Sequence, residues 1–274
     1  MKRPEPMLYL IAAATVAVLS FAYLLPIYVM LMTALKTPAE ITQRTYLLPG
    51  ASAQLENFAT AWRLIRPAMA NSAFIALAVT GAALLFGSMG GYFLSRSRSL
   101  IARALFLLIG IALYLPYQVI LIPLVQVMAR TGLALTHAGL ILSYLVLNMP
   151  LASVLMGTFF LSIPRELEEA AALDGASRLQ TFARVVVPLS LPAYASTALI
   201  VFTQVWNEFL LALTLATPRT TTIQIKLAEI KGSYVALYNL QMAAALITAL
   251  VPLVLFLLTG RLFVRGLLAG ALRG

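Results

Sequence analysis

Charge along this chain comes in clumps. The tracts 6–35, 67–95, 104–129, 131–164, 185–207 and 232–260 contain no Asp, Glu, Lys or Arg. A helix crosses the hydrocarbon core of a bilayer with about 20 apolar residues, and each of the six tracts is that long. Unpaired backbone amides and carbonyls are costly in lipid, so spans of this kind are helical. The pattern predicts an all-α membrane protein with transmembrane helices at 8–34, 69–94, 102–124, 138–161, 193–215 and 242–263. These six spans form one transmembrane domain over 1–274.

The segments between spans differ in kind. Residues 36–66 carry Pro38, Pro49, Gly50 and Asn57 and read as an irregular loop. Residues 125–137 and 216–241 are longer than tight turns and could form a cap that a partner touches. Pro26, Pro116, Pro123, Pro150 and Pro252 fall inside spans. Kinks there suit a pathway that opens and closes, but proline is also common in membrane helices. The run Gly87-Ser-Met-Gly-Gly91 permits close helix approach, read as ordinary packing within the chain.

Composition agrees with the pattern. Of 274 residues, 62% are hydrophobic and 10% charged, against about 25% charged in soluble domains. Lys2 and Arg3 precede the first tract as in a signal peptide. However, the apolar run is too long and no small-residue cleavage site ends it, so it reads as an uncleaved span. The net charge of +10 does not point to nucleic acid, because the bases are scattered between spans. With six spans both termini share a side with 95–101 and 162–192, and that side holds 11 bases against 8. The positive-inside rule places it in the cytoplasm. The chain has no Cys and one His, His137, which caps or follows an outer turn and supplies no metal site. It also lacks a GxxxxGK[ST] phosphate loop, an HExxH pair and a GxSxG elbow. It reads as a non-catalytic chain that binds no cofactor itself.

One stretch breaks the apolar pattern. Arg165–Arg178, RELEEAAALDGASR, holds six of the 28 charged residues. Pro164 suits a helix start, and Glu166, Glu168 and Glu169 favour the positive end of its dipole. Gly175 suits its stop, and a second helix can run from Ser177 to Val187, where Pro188 interrupts it. Three acids argue against a helix resting on anionic lipid, and the small Ala170, Ala171 and Gly175 let a protein surface approach.

The spacing Glu169-Ala170-Ala171, three residues, Gly175, nine residues, Val185, one residue, Val187-Pro188 resembles the EAA loop of ABC importer permeases. Family members often carry Ile and Leu where this chain has Val185 and Val187. The runs from Gly157 to Ala171, Trp206 to Leu210 and Phe263 to Leu267 are similar to the six-span permease subunit of maltose-type carbohydrate importers. The resemblance covers the whole chain. It implies a prokaryotic cell-membrane protein and a heterodimeric pore with a second permease of six to eight spans. It also implies two cytoplasmic ATPase subunits that carry ATP and Mg, and an extracytoplasmic solute-binding protein that delivers sugar.

In that family the loop is a coupling helix seated in an ATPase cleft. By position, Glu169, Ala170, Ala171, Leu173, Asp174, Gly175, Ala176 and Ser177 form the contact. Glu169 would pair with a base or cap a backbone group. In the fifth span Gln204, Asn207 and Glu208 could hydrogen-bond sugar hydroxyls while Trp206 or Phe209 stacks on a ring. Alternatively, Glu208 pairs with a base on the second permease, the reading the resemblance favours because sugar contacts there come mainly from that subunit. Asn148 and Gln118, beside prolines, are weaker pathway candidates. A non-sugar substrate such as glycerol phosphate would favour bases along the path, and a self-sufficient secondary transporter would need repeats and intramembrane ion ligands. Neither feature is evident.

Overall fold

The computed structural model describes residues 6–43, 47–232 and 237–271, with residues 6, 8 and 262–271 given by backbone alone. No strand occurs among the described residues. The helices are α1 (Pro6–Ala34), α2 (Pro38–Thr42), α3 (Glu56–Arg96), α4 (Leu100–Ala112), α5 (Gln118–Arg130) and α6 (His137–Leu161). After them come α7 (Arg165–Leu173), α8 (Arg178–Thr181), a π-helical turn (Phe182–Val186), α9 (Val187–Leu189) and α10 (Leu191–Asn207). The last are α11 (Leu210–Leu215), α12 (Ile223–Lys231) and α13 (Tyr238–Ala271). Among the described residues, four stretches are long and apolar enough to cross a bilayer: Tyr9–Ala34, Glu56–Arg96, His137–Leu161 and Tyr238–Arg261. Arg178–Leu189 and Leu191–Asn207, bent by 79°, make a fifth if they are one span.

Three expectations need correcting. The segment expected to be loop over 36–66 contains α2 and the start of α3. With 41 residues, α3 is about 60 Å long at 1.5 Å per residue, twice the hydrocarbon thickness. Its charged first turns, with Glu56, Arg63 and Arg66, therefore extend beyond the lipid core. The expected helix over 102–124 is two short apolar helices, α4 and α5, with a break at 113–117 that contains Pro116. The expected helix over 193–215 is broken at Glu208, which has an extended backbone (ψ 132°).

Two compact units divide the chain, 1–66 with 226–250 and 67–225 with 251–274. In the first, the Asn57 amide donates to the carbonyls of Ala34 and Lys36, each at 2.9 Å, and accepts from Asn239 at 3.1 Å. One side chain thus ties the end of α1 to the starts of α3 and α13. Glu40 closes α2 in a capping box with Thr37 and reaches across to the Ala51 amide at 2.7 Å.

In the second unit α6 packs against α4, α5, α10 and α11. The Gly87–Gly91 run forms the seam between α3 and α6. A Cβ on Gly91 would overlap the Ser153 carbonyl, and one on Gly87 would lie 2.7 Å from the Ala152 methyl. The small residues are therefore required by backbone proximity. Beyond the seam, Tyr92, Phe160 and Phe182 pack as an aromatic trio with centroids 4.9–6.0 Å apart. At the far end Asn71 donates to the carbonyls of Arg219 and Thr221, and Ser72 accepts from the Ile223 amide. His137, the first residue of α6, lies 3.1 Å from the Asn71 amide oxygen and packs edge-on to Phe74.

Candidate functional site

The polar island folds as a helix, a turn and a second helix. Glu166 and Glu168 lie in the first turn of α7, where the exposed amides and dipole favour acids. At the C-terminus the Gly175 amide donates to the Ala172 carbonyl and the Ala176 amide to the Ala171 carbonyl, 3.1 and 3.0 Å. This is the Schellman arrangement, and it requires the left-handed φ of +80° found at Gly175. Ser177 starts α8 at once: its hydroxyl accepts from the Gln180 amide and the Gln180 side chain accepts from the Ser177 amide. The second helix does not stop at Pro188. The π-turn before it widens the backbone, which absorbs the missing N–H and the ring's clash with the preceding turn. The break falls at Ser190, whose hydroxyl donates to the Val186 carbonyl at 2.7 Å.

The outward surface of this pair mixes small and apolar side chains with the exposed charges of Glu166, Glu169, Asp174 and Arg178. Leu173 is 90% exposed and Leu179 64%, Ala170 and Ala172 are exposed, and a Cβ on Gly175 would meet nothing within 4 Å. Glu169 is exposed and takes no hydrogen bond or ion pair among the described residues. The acid that pairs within the chain is Glu168. One of its oxygens lies 2.7 Å from Arg96 Nη2, and the other accepts from the Tyr92 hydroxyl at 2.7 Å. The same Nη2 donates to the Ile163 carbonyl at 2.7 Å. Sequence reasoning passed over this cluster, although a signal existed. Arg96 closes one charge-free tract and Glu168 follows another, on the side that the expected six-span order makes common to both.

A second polar cluster sits at the broken helices. The Glu208 carboxylate accepts from the Tyr117 hydroxyl (2.9 Å) and the Leu211 amide (2.8 Å) through one oxygen. Through the other it accepts from the Tyr144 hydroxyl (2.8 Å) and the Ala212 amide (3.2 Å). It therefore caps α11 while binding the α4–α5 break and α6. Four donors of the chain itself thus surround the carboxylate. Tyr117 and Tyr144 carry no local mark of this role in the sequence.

Beside the clasp opens a cleft of about 760 Å³, lined by Tyr114, Tyr117, Gln118, Asn148, Gln204, Asn207 and Glu208 among apolar side chains. No Lys or Arg lines it. Asn148 donates to the Tyr144 carbonyl, and its buried amide oxygen has no hydrogen-bond partner among the described residues. Trp206 does not reach the cleft; it is 1% exposed and stacked on Phe202 at 5.6 Å. Phe209 also lies outside the lining. Of the five pathway candidates, Gln204, Asn207 and Glu208 converge, and the two aromatic residues are replaced there by Tyr114 and Tyr117. Among the described residues, no group of three or more His, Cys, Asp or Glu could hold a metal ion.

Residues 83–267 match the family described as binding-protein-dependent transport system inner membrane component. The chain is 33% identical over 261 residues to the glucose import system permease protein GlcU of Saccharolobus solfataricus, covering 92% of this chain and 91% of that protein. It is 31% identical over 264 residues to the melibiose/raffinose/stachyose import permease protein MelC of Bacillus subtilis, covering 94% of each. Its fold matches a chain in the crystal structure of a bacterial ABC transporter that imports the acidic polysaccharide alginate. The TM-score is 0.78 at 21% identity, over 95% of this chain and 98% of that one.

Proposed function

The chain belongs to the binding-protein-dependent transport system inner membrane components, and from that premise we propose that it is a pore subunit of an ATP-driven sugar importer. It takes sugar from an extracytoplasmic binding protein and passes it to the cytoplasm, beside a second permease subunit. Two cytoplasmic ATPases bind ATP and Mg and supply the energy. The domain crosses the membrane six times with both termini inside, the third crossing being α4 and α5 together across their break. The observation that carries this reading is the α7–α8 pair. Its short turn is fixed at both ends by backbone and capping bonds, and it exposes small and apolar side chains, Leu173 at 90%, among the charges of Glu169, Asp174 and Arg178. A stiff, projecting element of this kind fits a partner's cleft and transmits a rigid-body push. Glu169, Ala170, Ala171, Leu173, Asp174, Gly175, Ala176 and Ser177 form the contact.

Sugar as cargo is supported by both relatives, a glucose import permease and a melibiose/raffinose/stachyose import permease by name. The cleft's chemistry agrees: amides and tyrosines suit neutral hydroxyls, and a wall with a carboxylate and no base disfavours a phosphate ester. The test uses the absence of native cysteine. Leu173→Cys in the assembled complex should form a disulfide with a cysteine placed in the ATPase cleft, and sugar uptake should stop when it does. A complex that transports normally with no cross-link from any position over 169–177 would overturn the docking role.

A further inference from the structure

Nothing in α7 is buried. Only Glu168 and Ala171 in it are even half-buried, so an element that is to be pushed by a motor needs more than its own packing to connect it to the helices it moves. Its covalent link runs through Ser162–Pro164, three residues after α6 ends. Ile163 in that link is buried in one cluster with Phe160, Phe182 and Val186, which anchors the link in the bundle but includes no residue of α7. The α8 side is different, because Thr181, Phe182 and Val186 are buried and Phe182 packs against Tyr92 and Phe160.

We propose that Arg96 is a positioning residue for transport: it braces α7 against the end of α3, so that a push on the helix pair moves α3 and α6 with it. One ion pair and two hydrogen bonds form the brace. Arg96 Nη2 meets the Glu168 carboxylate and the Ile163 carbonyl, each at 2.7 Å, and Tyr92 fixes the second Glu168 oxygen at 2.7 Å. The Ile163 carbonyl belongs to the link itself, so one guanidinium spans the end of α3, the link and α7. The side chains are 10% and 17% exposed. Solvent therefore screens the pair weakly, unlike an ordinary surface ion pair. Tyr92 also belongs to the aromatic trio, which joins the brace to the point where the α8 side enters the bundle. The two halves of the helix pair thus reach the same place, one through charge and one through packing.

The inference rests on the docking role proposed above, and its test separates the two. The assembled complex, with both ATPases, the second permease and the binding protein, is reconstituted in vesicles. Sugar imported per ATP hydrolysed is then measured for Arg96→Gln, Glu168→Gln and the double variant, each carrying Leu173→Cys for cross-linking to the ATPase. The expected result is that every variant still cross-links while sugar per ATP falls about 3- to 30-fold in either single variant. The double variant should be no worse than the worse single, because both remove one connection. An Arg96→Gln complex that cross-links and keeps the parental ratio overturns the brace and leaves docking intact; so does a double variant whose losses multiply. Loss of the cross-link in the Leu173→Cys parent overturns the docking role itself. Where Arg96→Gln fails to assemble, Glu168→Gln, which keeps the side chain's shape, gives the deciding ratio.

Discussion

Glu208 and Glu40 are both carboxylates whose oxygens are filled by donors of the chain itself. At Glu208 four donors from three places converge, two phenols and two amides. Gln at this position keeps one accepting oxygen and turns an NH2 towards donors. Hydrogen bonds to a charged group contribute about 1.5–3 kcal/mol each, and Glu208 is half-buried. Glu208→Gln should therefore destabilise the protein by about 1–3 kcal/mol, read as a lower thermal midpoint in detergent, with Tyr144→Phe shifting it the same way and Glu208→Gln/Tyr144→Phe less than additive. An unchanged midpoint in Glu208→Gln would show that the clasp contributes nothing. Glu40 makes a prediction in pH. Amides of Thr37 and Ala51 and the Thr37 hydroxyl hold its carboxyl below the usual 4.5. A group whose folded pKa is depressed stabilises the folded state above its unfolded value, and that stabilisation is lost as pH falls through the folded value. Protection of the Ala51 amide from hydrogen exchange should accordingly be full above pH 4.5 and decline below it, and Glu40→Gln should remove the step.

At the scale of elements, the α7–α8 pair was legible because everything that shapes it is local. Pro164, the first-turn acids, Gly175 and the Ser177–Gln180 box lie within 17 residues. The left-handed residue is the sharpest test. A left-handed φ costs a residue with a Cβ about 1–2 kcal/mol, a β-branched one more, while Asn tolerates it. Replacement of Gly175 should lower both Ala176 amide protection and sugar uptake in the order Asn, Ala, Val, with membrane insertion preserved. Equal behaviour of Val and Asn would remove the turn from the mechanism. The helix breaks at 113–117 and Glu208 were not legible for the opposite reason. The charge-free tracts run unbroken through 113–117 and up to Asn207, and what stabilises the interruptions is a contact between residues 91 and 64 positions apart. The choice between Glu168 and Glu169 has the same origin. Both acids suit the first turn, and only the distant Arg96 distinguishes them.

For the whole molecule, the break between α4 and α5 decides on which side the helix pair faces. Each is 13 residues long, about 20 Å at 1.5 Å per residue and too short to cross alone. Together they are long enough. If they cross, α6 runs inward and delivers α7 and α8 to the cytoplasm, where ATP is. If they instead turn back, α6 runs outward and the same pair faces away from the motor. The Tyr117–Glu208 bond that holds the break is thus tied to the parity of the whole chain. The exposed Ser52, Ser99, Thr131 and Ser177 sample the four connections before α8. As single cysteines in intact cells, Ser52→Cys and Thr131→Cys should react with an impermeant maleimide, whereas Ser99→Cys and Ser177→Cys should react only after permeabilisation. Labelling of Thr131→Cys from the same side as Ser99→Cys would mean that α4 and α5 re-enter. The pair at Ser177 would then lie outside, and neither docking nor the Arg96 brace could serve an ATPase.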